Sequence, residues 1–280
     1  MSATPPDLGS RFEFARHAAK AAGQHTLKYF QGDFKVDRKG DASPVTIADR
    51  EAEQLVRKMI EESFPGDSIL GEEFDDKEGT SPFRWIIDPI DGTKSFISGV
   101  PLYTTLVAVE FEGRGVIGVI EIPALGESVY AAEGQGAWFV RGDSQPERAK
   151  VGDFTNLSEG LFVTSERRTF DERGAGATYL ELESAASVAR TWGDAYGYAL
   201  VATGRAVAMV DPIMEVWDVA AVQPVLVEAG GVFTDWQGHP TIHSREGIGT
   251  VPGVLHEVLE ITQKAQRMTC LLYTSDAADE

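Results

Sequence analysis

Two carboxylates three residues apart, Asp88 and Asp91, close the apolar run Trp85-Ile86-Ile87 and are followed at once by Gly92 and Thr93. Acids so spaced at a strand end, facing the unpaired N–H groups of a helix start, can hold hard divalent cations and a phosphate together. An Asp-Pro turn leading into a capped helix accounts for Pro89, Asp91 and Gly92. It gives no reason for a second acid at Asp88, directly after a buried strand. The elements that must position these groups follow from composition. Phe83 to Ile87 is short, aromatic and β-branched and reads as a strand, and Pro89 lacks the N–H a central strand needs, so the chain is expected to turn at Asp88. Asp91 is expected to N-cap a short helix running to about Phe96.

Other acids stand at comparable places. Ser43-Pro44-Val45-Thr46 leads into a helical pattern from Ile47 to about Ser63, with Ala48, Ala52, Leu55, Met59 and Ile60 on one face, and Thr46 with Asp49 matches a capping box. Ser68 to Gly71 reads as a short strand that delivers Glu72 and Glu73. Adjacent acids on a loop are usually solvated charge, but here two short strands both end in acids. Trp217-Asp218 stands at a helix start, where an N-cap is the plain reading of Asp218.

The formal charge of −19 over 280 residues argues against a nucleic-acid partner, which requires a basic face to release counterions. An acidic protein that handles phosphate needs metal ions. Apolar residues make up 42% of the chain, enough for a substantial core in one large or two moderate domains. The N-terminus shows an amphipathic pattern from Leu8 through Phe12, Ala15, Ala19 and Ala22 to Phe30 rather than an apolar leader, and no run approaches membrane-spanning length; a soluble cytoplasmic protein is expected. The single Cys270 excludes an intramolecular disulfide and a cysteine-based zinc site. The stretch from Cys270 to Glu280 breaks the preceding helical pattern, reads as a translated vector or sequencing scar, and is set aside from the fold.

Lys35 to Lys39 reads as extended. From Tyr103 to Val140 the residues alternate through Leu106, Ala108 and Glu110, then Val116 to Ile120, Ser128 to Ala131 and Ala137 to Val140, with glycine-rich turns between, which predicts an antiparallel meander. The polar segment from Arg141 to Ser158 is the candidate boundary, giving an N-terminal α+β part over 1–145 with most of the acids and a C-terminal α/β part over 146–268. There strands and helices alternate: Leu161 to Thr164, a helix after Arg168, Ser187 to Thr191, a helix from Asp194 to Ala202, Ala206 to Val210, a helix from Val216 to Glu228, Val232 to Asp235, and a last helix from Leu255 to Gln266. The histidines, His17, His25, His239, His243 and His256, do not cluster and receive no ligand role.

The acidic motifs together resemble the inositol-monophosphatase-like family of metal-dependent phosphatases. The matching pieces are Ser43-Pro44-Val45-Thr46 with Asp49, Gly71-Glu72-Glu73, Trp85 to Thr93, and Trp217-Asp218-Val219-Ala220-Ala221 with Glu228-Ala229-Gly230-Gly231. The resemblance extends to about residue 265 and implies a layered α-β-α-β-α sandwich of the inositol monophosphatase and fructose-bisphosphatase type, an α/β (α+β) class. It also implies a homodimer, a small phosphorylated metabolite as partner, and two or three Mg2+ per subunit. Glu72, Asp88 and the Ile90 carbonyl would hold the first ion, with Asp88 bridging to a second held also by Asp91 and Asp218. Glu72 and Thr93 would orient a water whose pKa one ion lowers, Asp49 would accept from the Thr93 hydroxyl, and the Gly92 and Thr93 N–H groups would receive phosphate oxygens.

Within the family, Arg190 to Tyr198 and Met209 to Asp218, with the short stretch between Glu72 and Asp88, resemble the histidinol-phosphate phosphatase branch, whereas Lys94-Ser95 departs from the usual Thr-Asn. The branch implies a cationic substrate, with Asp91, Trp192, Asp194, Asp211 and Glu215 near its organic half. Competing readings are an N-cap for Asp194, a turn before Pro212 for Asp211 and a solvated acid for Glu215. For the whole chain the alternatives are an inositol monophosphatase or other sugar or polyol phosphate phosphatase, and a non-catalytic metal- or phosphate-binding regulator, whose signature would be loss of Glu72 or Thr93. A dinucleotide-binding oxidoreductase would need a Gly-x-Gly-x-x-Gly after a first strand, and none stands there.

Overall fold

The computed structural model describes residues 5–40 and 43–264. The stretch from Cys270 and the end of the last helix lie outside the described residues. Helix α1 (Leu8–Thr26) buries Phe12, Ala15, Ala19 and Ala22 as one stripe. It stops short of Phe30, whose ring instead packs on Phe96 and Tyr103 with centroids 5.8 and 5.2 Å away. Strands β1 (Val36–Arg38) and β2 (Pro44–Thr46) pair antiparallel and lead into α2 (Ile47–Ser63), opened by the Thr46 and Asp49 capping box.

Next come β3 (Ser68–Gly71), β4 (Phe83–Asp91), the short α3 (Thr93–Ile97), β5 (Thr104–Phe111), β6 (Arg114–Ile122), β7 (Glu127–Ala132), β8 (Gly136–Arg141) and β9 (Glu147–Arg148). They form a seven-stranded sheet in chain order. Only β3 and β4 run parallel, and β5 to β8 are the expected meander. Two expectations are corrected at β4. The strand does not end at Asp88 but continues to Asp91 through a register shift against β5. Pro89 is tolerated because β3 pairs only as far as Ile87, so beyond it β4 has a free edge on that side and its proline lacks no ladder bond. Asp91 therefore ends the strand, and Gly92, not Asp91, is the N-cap of α3.

The second sheet is built from β10 (Leu161–Val163), β11 (Val188–Arg190), β12 (Ala208–Asp211), β13 (Val232–Thr234) and β14 (Gly247–Thr250), in the order β11-β10-β12-β14-β13. Helices α4 (Arg167–Glu172), α5 (Gly176–Ala185), α6 (Ala195–Ala202), α7 (Val216–Val219), α8 (Val222–Glu228) and one over 255–264 complete it. The single helix expected over Val216 to Glu228 is two, because Pro224 cannot donate to the Ala220 carbonyl and its ring crowds that turn. Strand β14 has no sequence signal, since Gly-Ile-Gly-Thr offers little β propensity. Its glycines are set by packing: a Cβ at Gly249 would run into Tyr198 and Leu226.

The layers follow from the buried faces. Helices α1 and α2 cover one face of the first sheet, burying Val107, Val109 and Val119. Helices α6 and α8 lie between the sheets, where Tyr198, Val201, Val225 and Leu226 meet Leu106, Ile120 and Val129 on one side and Met209 and Phe233 on the other. Phe170, Tyr179, Leu182, Val258 and Ile261 close the outer face of the second sheet. This is the expected α-β-α-β-α sandwich. A buried anchor fixes β4: Asp67 takes the Arg11 guanidinium at 3.0 Å and the Trp85 indole N–H at 2.9 Å. Among the described residues no helix is long and apolar enough to cross a membrane.

Candidate active site

Asp88, Asp91 and Asp218 converge: each offers a carboxylate oxygen, and these oxygens lie within 4.8 Å of one another. Asp88 and Asp91 are 2% and 7% exposed and come from the irregular end of β4. That register shift turns both acids to one place, which a regular strand would not do for residues three apart, because alternate residues face opposite sides. Asp218 arrives from the second half of the molecule. It is the third residue of α7 rather than its N-cap; Glu215 holds the cap, and Asp218 Oδ2 accepts from the Glu215 N–H at 2.8 Å.

Each carboxylate is held by donors. Asp88 Oδ1 accepts from the Ile90 N–H at 3.1 Å. Asp91 Oδ2 accepts from the Thr104 hydroxyl at 2.7 Å and from the Ala195 N–H at 2.6 Å. Even so, burial lifts the Asp88 carboxyl well above its ordinary value, helped by the charges of Glu72, Asp91 and Asp218. Burial does the same for Asp91, with Asp194 and Asp218 beside it, and pushes Asp218 up to about 8. Crowded, half-satisfied carboxylates of this kind are the surroundings that a divalent cation with oxygen ligands relieves. The donor set therefore fits Mg2+.

These acids floor a cleft of about 420 Å³ whose lining also includes Glu72, Ile90, Gly92, Thr93, Lys94 and Asp194. Glu72 follows β3, and its charge is among those that raise the Asp88 carboxyl, while the Lys39 ammonium bridges Glu72 at 2.6 Å and Glu73 at 2.7 Å. The Ile90 carbonyl accepts from the Thr93 hydroxyl at 3.1 Å, and Asp49 Oδ1 lies 3.5 Å from the same hydroxyl. Asp49 keeps its capping role as well, its Oδ2 taking the Thr46 N–H at 2.8 Å and the Thr46 hydroxyl at 2.5 Å. Burial pushes its carboxyl up to about 6. Gly92 has φ 84° and a Cβ there would strike the Asp194 carboxylate, so glycine is needed on two counts.

The residues expected at the organic half of a substrate are divided. Asp91 and Asp194 line the cleft; Asp194 heads α6 without using its side chain as a cap. Trp192, 44% exposed, is not among the lining residues. Asp211 is turned inward and saturated, accepting from the Thr164 hydroxyl at 2.9 Å, the Ser165 N–H at 2.8 Å and the Ser165 hydroxyl at 3.0 Å. It reaches the cleft only through Ser165, which does line it. Glu215 ion-pairs with Arg245 beside the cap of α7, outside the lining. Lys39, Ser165, Glu166 and Thr169 carry no local motif and have no role in the sequence reading, whereas Thr191 and Met214 lie within the stretches that resemble the branch but receive none.

The sequence pattern of the inositol monophosphatase family matches residues 7–267. The chain is 43% identical over 244 residues to a histidinol-phosphatase of Chlorobaculum parvum, covering 87% of this chain and 91% of that protein. It is 37% identical over 259 residues to a histidinol-phosphatase of Streptomyces coelicolor, covering 91% and 97%. Among solved structures, an inositol monophosphatase of Thermotoga maritima superposes with a TM-score of 0.83 at 29% identity, over 92% of this chain and 99% of that one.

Proposed function

The chain belongs to the inositol monophosphatase family, and from that premise we propose that it is a Mg2+-dependent phosphomonoesterase that hydrolyses L-histidinol phosphate to L-histidinol and phosphate. The observation that carries the reading is the convergence of Asp88, Asp91 and Asp218 on one point of the cleft. Their shared excess of buried negative charge supports divalent ions there, with Glu72 and the Ile90 carbonyl completing the ligand set.

Bound divalent ions supply charge neutralisation of the phosphate and acidify a water for attack. The chain's own residues do the positioning. The first-turn N–H groups at Gly92 and Thr93 have no intrahelical partner and receive phosphate oxygens. The Thr93 hydroxyl, poised between Ile90 O and Asp49 Oδ1, and the Glu72 carboxylate orient the attacking water in line with the scissile bond. Family membership supports a homodimer, and a biosynthetic substrate of this kind supports a cytoplasmic location.

A polyol phosphate is the second reading, favoured by the hydroxyls of Ser165, Thr169 and Thr191 along the cleft. Phosphate release from L-histidinol phosphate and from inositol monophosphate, each with Mg2+ and with chelator, tests both. Faster turnover of the polyol overturns the substrate, and activity unaffected by chelator overturns the metal.

A further inference from the structure

Resting on the reading of the substrate as a cationic phosphate ester, we infer that Glu166 is the carboxylate that takes the substrate's cationic nitrogen, and that Lys94 occupies it until substrate arrives. The two residues stand on opposite walls of the cleft and both line it. Lys94 belongs to α3, directly after Thr93 and the phosphate-binding N–H groups. Glu166 belongs to the second half, between β10 and α4, next to Ser165. Its backbone caps α4 but its side chain makes no capping bond, so the carboxylate is turned to other partners. Lys94 Nζ closes on Oε2 across the cleft, and Arg168 Nε holds Oε1 from outside at 3.3 Å.

The charge pattern matches a zwitterionic ester. A substrate with a phosphate at the acidic floor brings its ammonium or imidazolium toward the outer wall, where the acids of the metal floor are already engaged. Glu166 stands there with one oxygen steadied by Arg168 and the other held, among the described residues, by an exposed lysine, and ion pairs so exposed are weak enough to exchange. When the substrate's cation replaces Lys94 on Oε2, the freed ammonium is adjacent to Thr93 and the phosphate. A neutral polyol offers no such exchange. Glu215, tied to Arg245 outside the lining, does not compete for this role.

The test is steady-state kinetics of wild type, Glu166→Gln and Glu166→Asp on L-histidinol phosphate and inositol monophosphate at saturating Mg2+. Glu166→Gln is expected to raise KM for histidinol phosphate about tenfold while kcat changes less, and to shrink the preference for that substrate by a similar factor, the range of a hydrogen bond to a charged group. Glu166→Asp, which keeps the charge, is expected to recover part of the preference. A preference unchanged in Glu166→Gln, whether both activities hold or both fall together, overturns the role of Glu166. A wild type that prefers the polyol overturns the functional reading itself, a failure visible before any variant is made.

Discussion

The Asp91 carboxylate accepts the backbone N–H of Ala195 at 2.6 Å, across a sequence separation of 104 residues. One oxygen of a cleft acid thus ties the end of β4 to the first turn of α6, and the same oxygen takes the Thr104 hydroxyl. Asp91→Ala leaves both donors unpaired, each costing about 1–3 kcal/mol when buried. Asp91→Asn keeps an acceptor and removes a charge. Urea unfolding with chelator is expected to rank Asp91→Asn at or above wild type and Asp91→Ala below it, with neither active. Equal stability of the two variants would show that the Ala195 bond does not hold the halves together.

Asp88→Asn is expected to give a folded protein with almost no turnover and no Mg2+-dependent rise in Tm. Without metal, the sign of the pH effect follows from the raised carboxyls of Asp88 and Asp91 and of Asp218 at about 8. Their native pKa lies above the unfolded one, so their contribution is full at low pH and is lost as pH rises through the native values. The chelated wild type should therefore lose stability as pH rises from about 4, the unfolded value, to about 8, the native value of Asp218. Asp88→Asn should lose less over the same interval, and Mg2+ should restore the wild type by binding the native state alone. Near wild-type turnover of Asp88→Asn would exclude it as a metal ligand.

For Asp49, capping and catalysis separate in one experiment. Asp49→Asn can still accept from Thr46, so stability is expected to fall by no more than about 1 kcal/mol. Turnover is expected to fall by far more, because the acceptor 3.5 Å from the Thr93 hydroxyl loses its charge. Small, proportionate losses in both would leave Asp49 as a cap alone.

Glu121 on β6 is remote from the cleft acids, and burial pushes its carboxyl up to about 7 from 4.5, against the opposing pull of Ser128 and Lys20. Its protonated form is the one the fold prefers, so its contribution is full below the unfolded pKa and disappears as pH climbs through about 7. Glu121→Gln removes that dependence. Relative to wild type, the variant is expected to gain up to about 3 kcal/mol between pH 5 and pH 8, read as the pH profile of urea unfolding. A gain that does not change with pH would place the Glu121 carboxylate in contact with water.

The family motifs were legible because each is local. A capping box needs only Thr46 and Asp49, a meander only alternation and glycine turns, and the pairing of a buried strand with two acids only Trp85 to Asp91. Local pattern also misled. Pro89 read as the end of the strand, whereas the free edge of β4 beyond Ile87 accommodates it. Val216 to Glu228 reads as one helix although Pro224 divides it, and β14 is hidden because its glycines answer to Tyr198 on α6 and Leu226 on α8.

The sequence alone carried the acids and the alternation of strands and helices, since residue type and period are properties of short segments, and the five-layer sandwich came from the family resemblance. Only the tertiary structure decided which acids meet. Asp218 joins Asp88 and Asp91 because α7 is carried across the sandwich by the packing of α8 between the sheets. Asp211 and Glu215, equally acidic and close by in the chain, are spent on Ser165 and on Arg245. Lys94 and Glu166 face each other with no motif to announce them, because a pair across a cleft is fixed by the distance between two walls, and no short stretch of chain contains both.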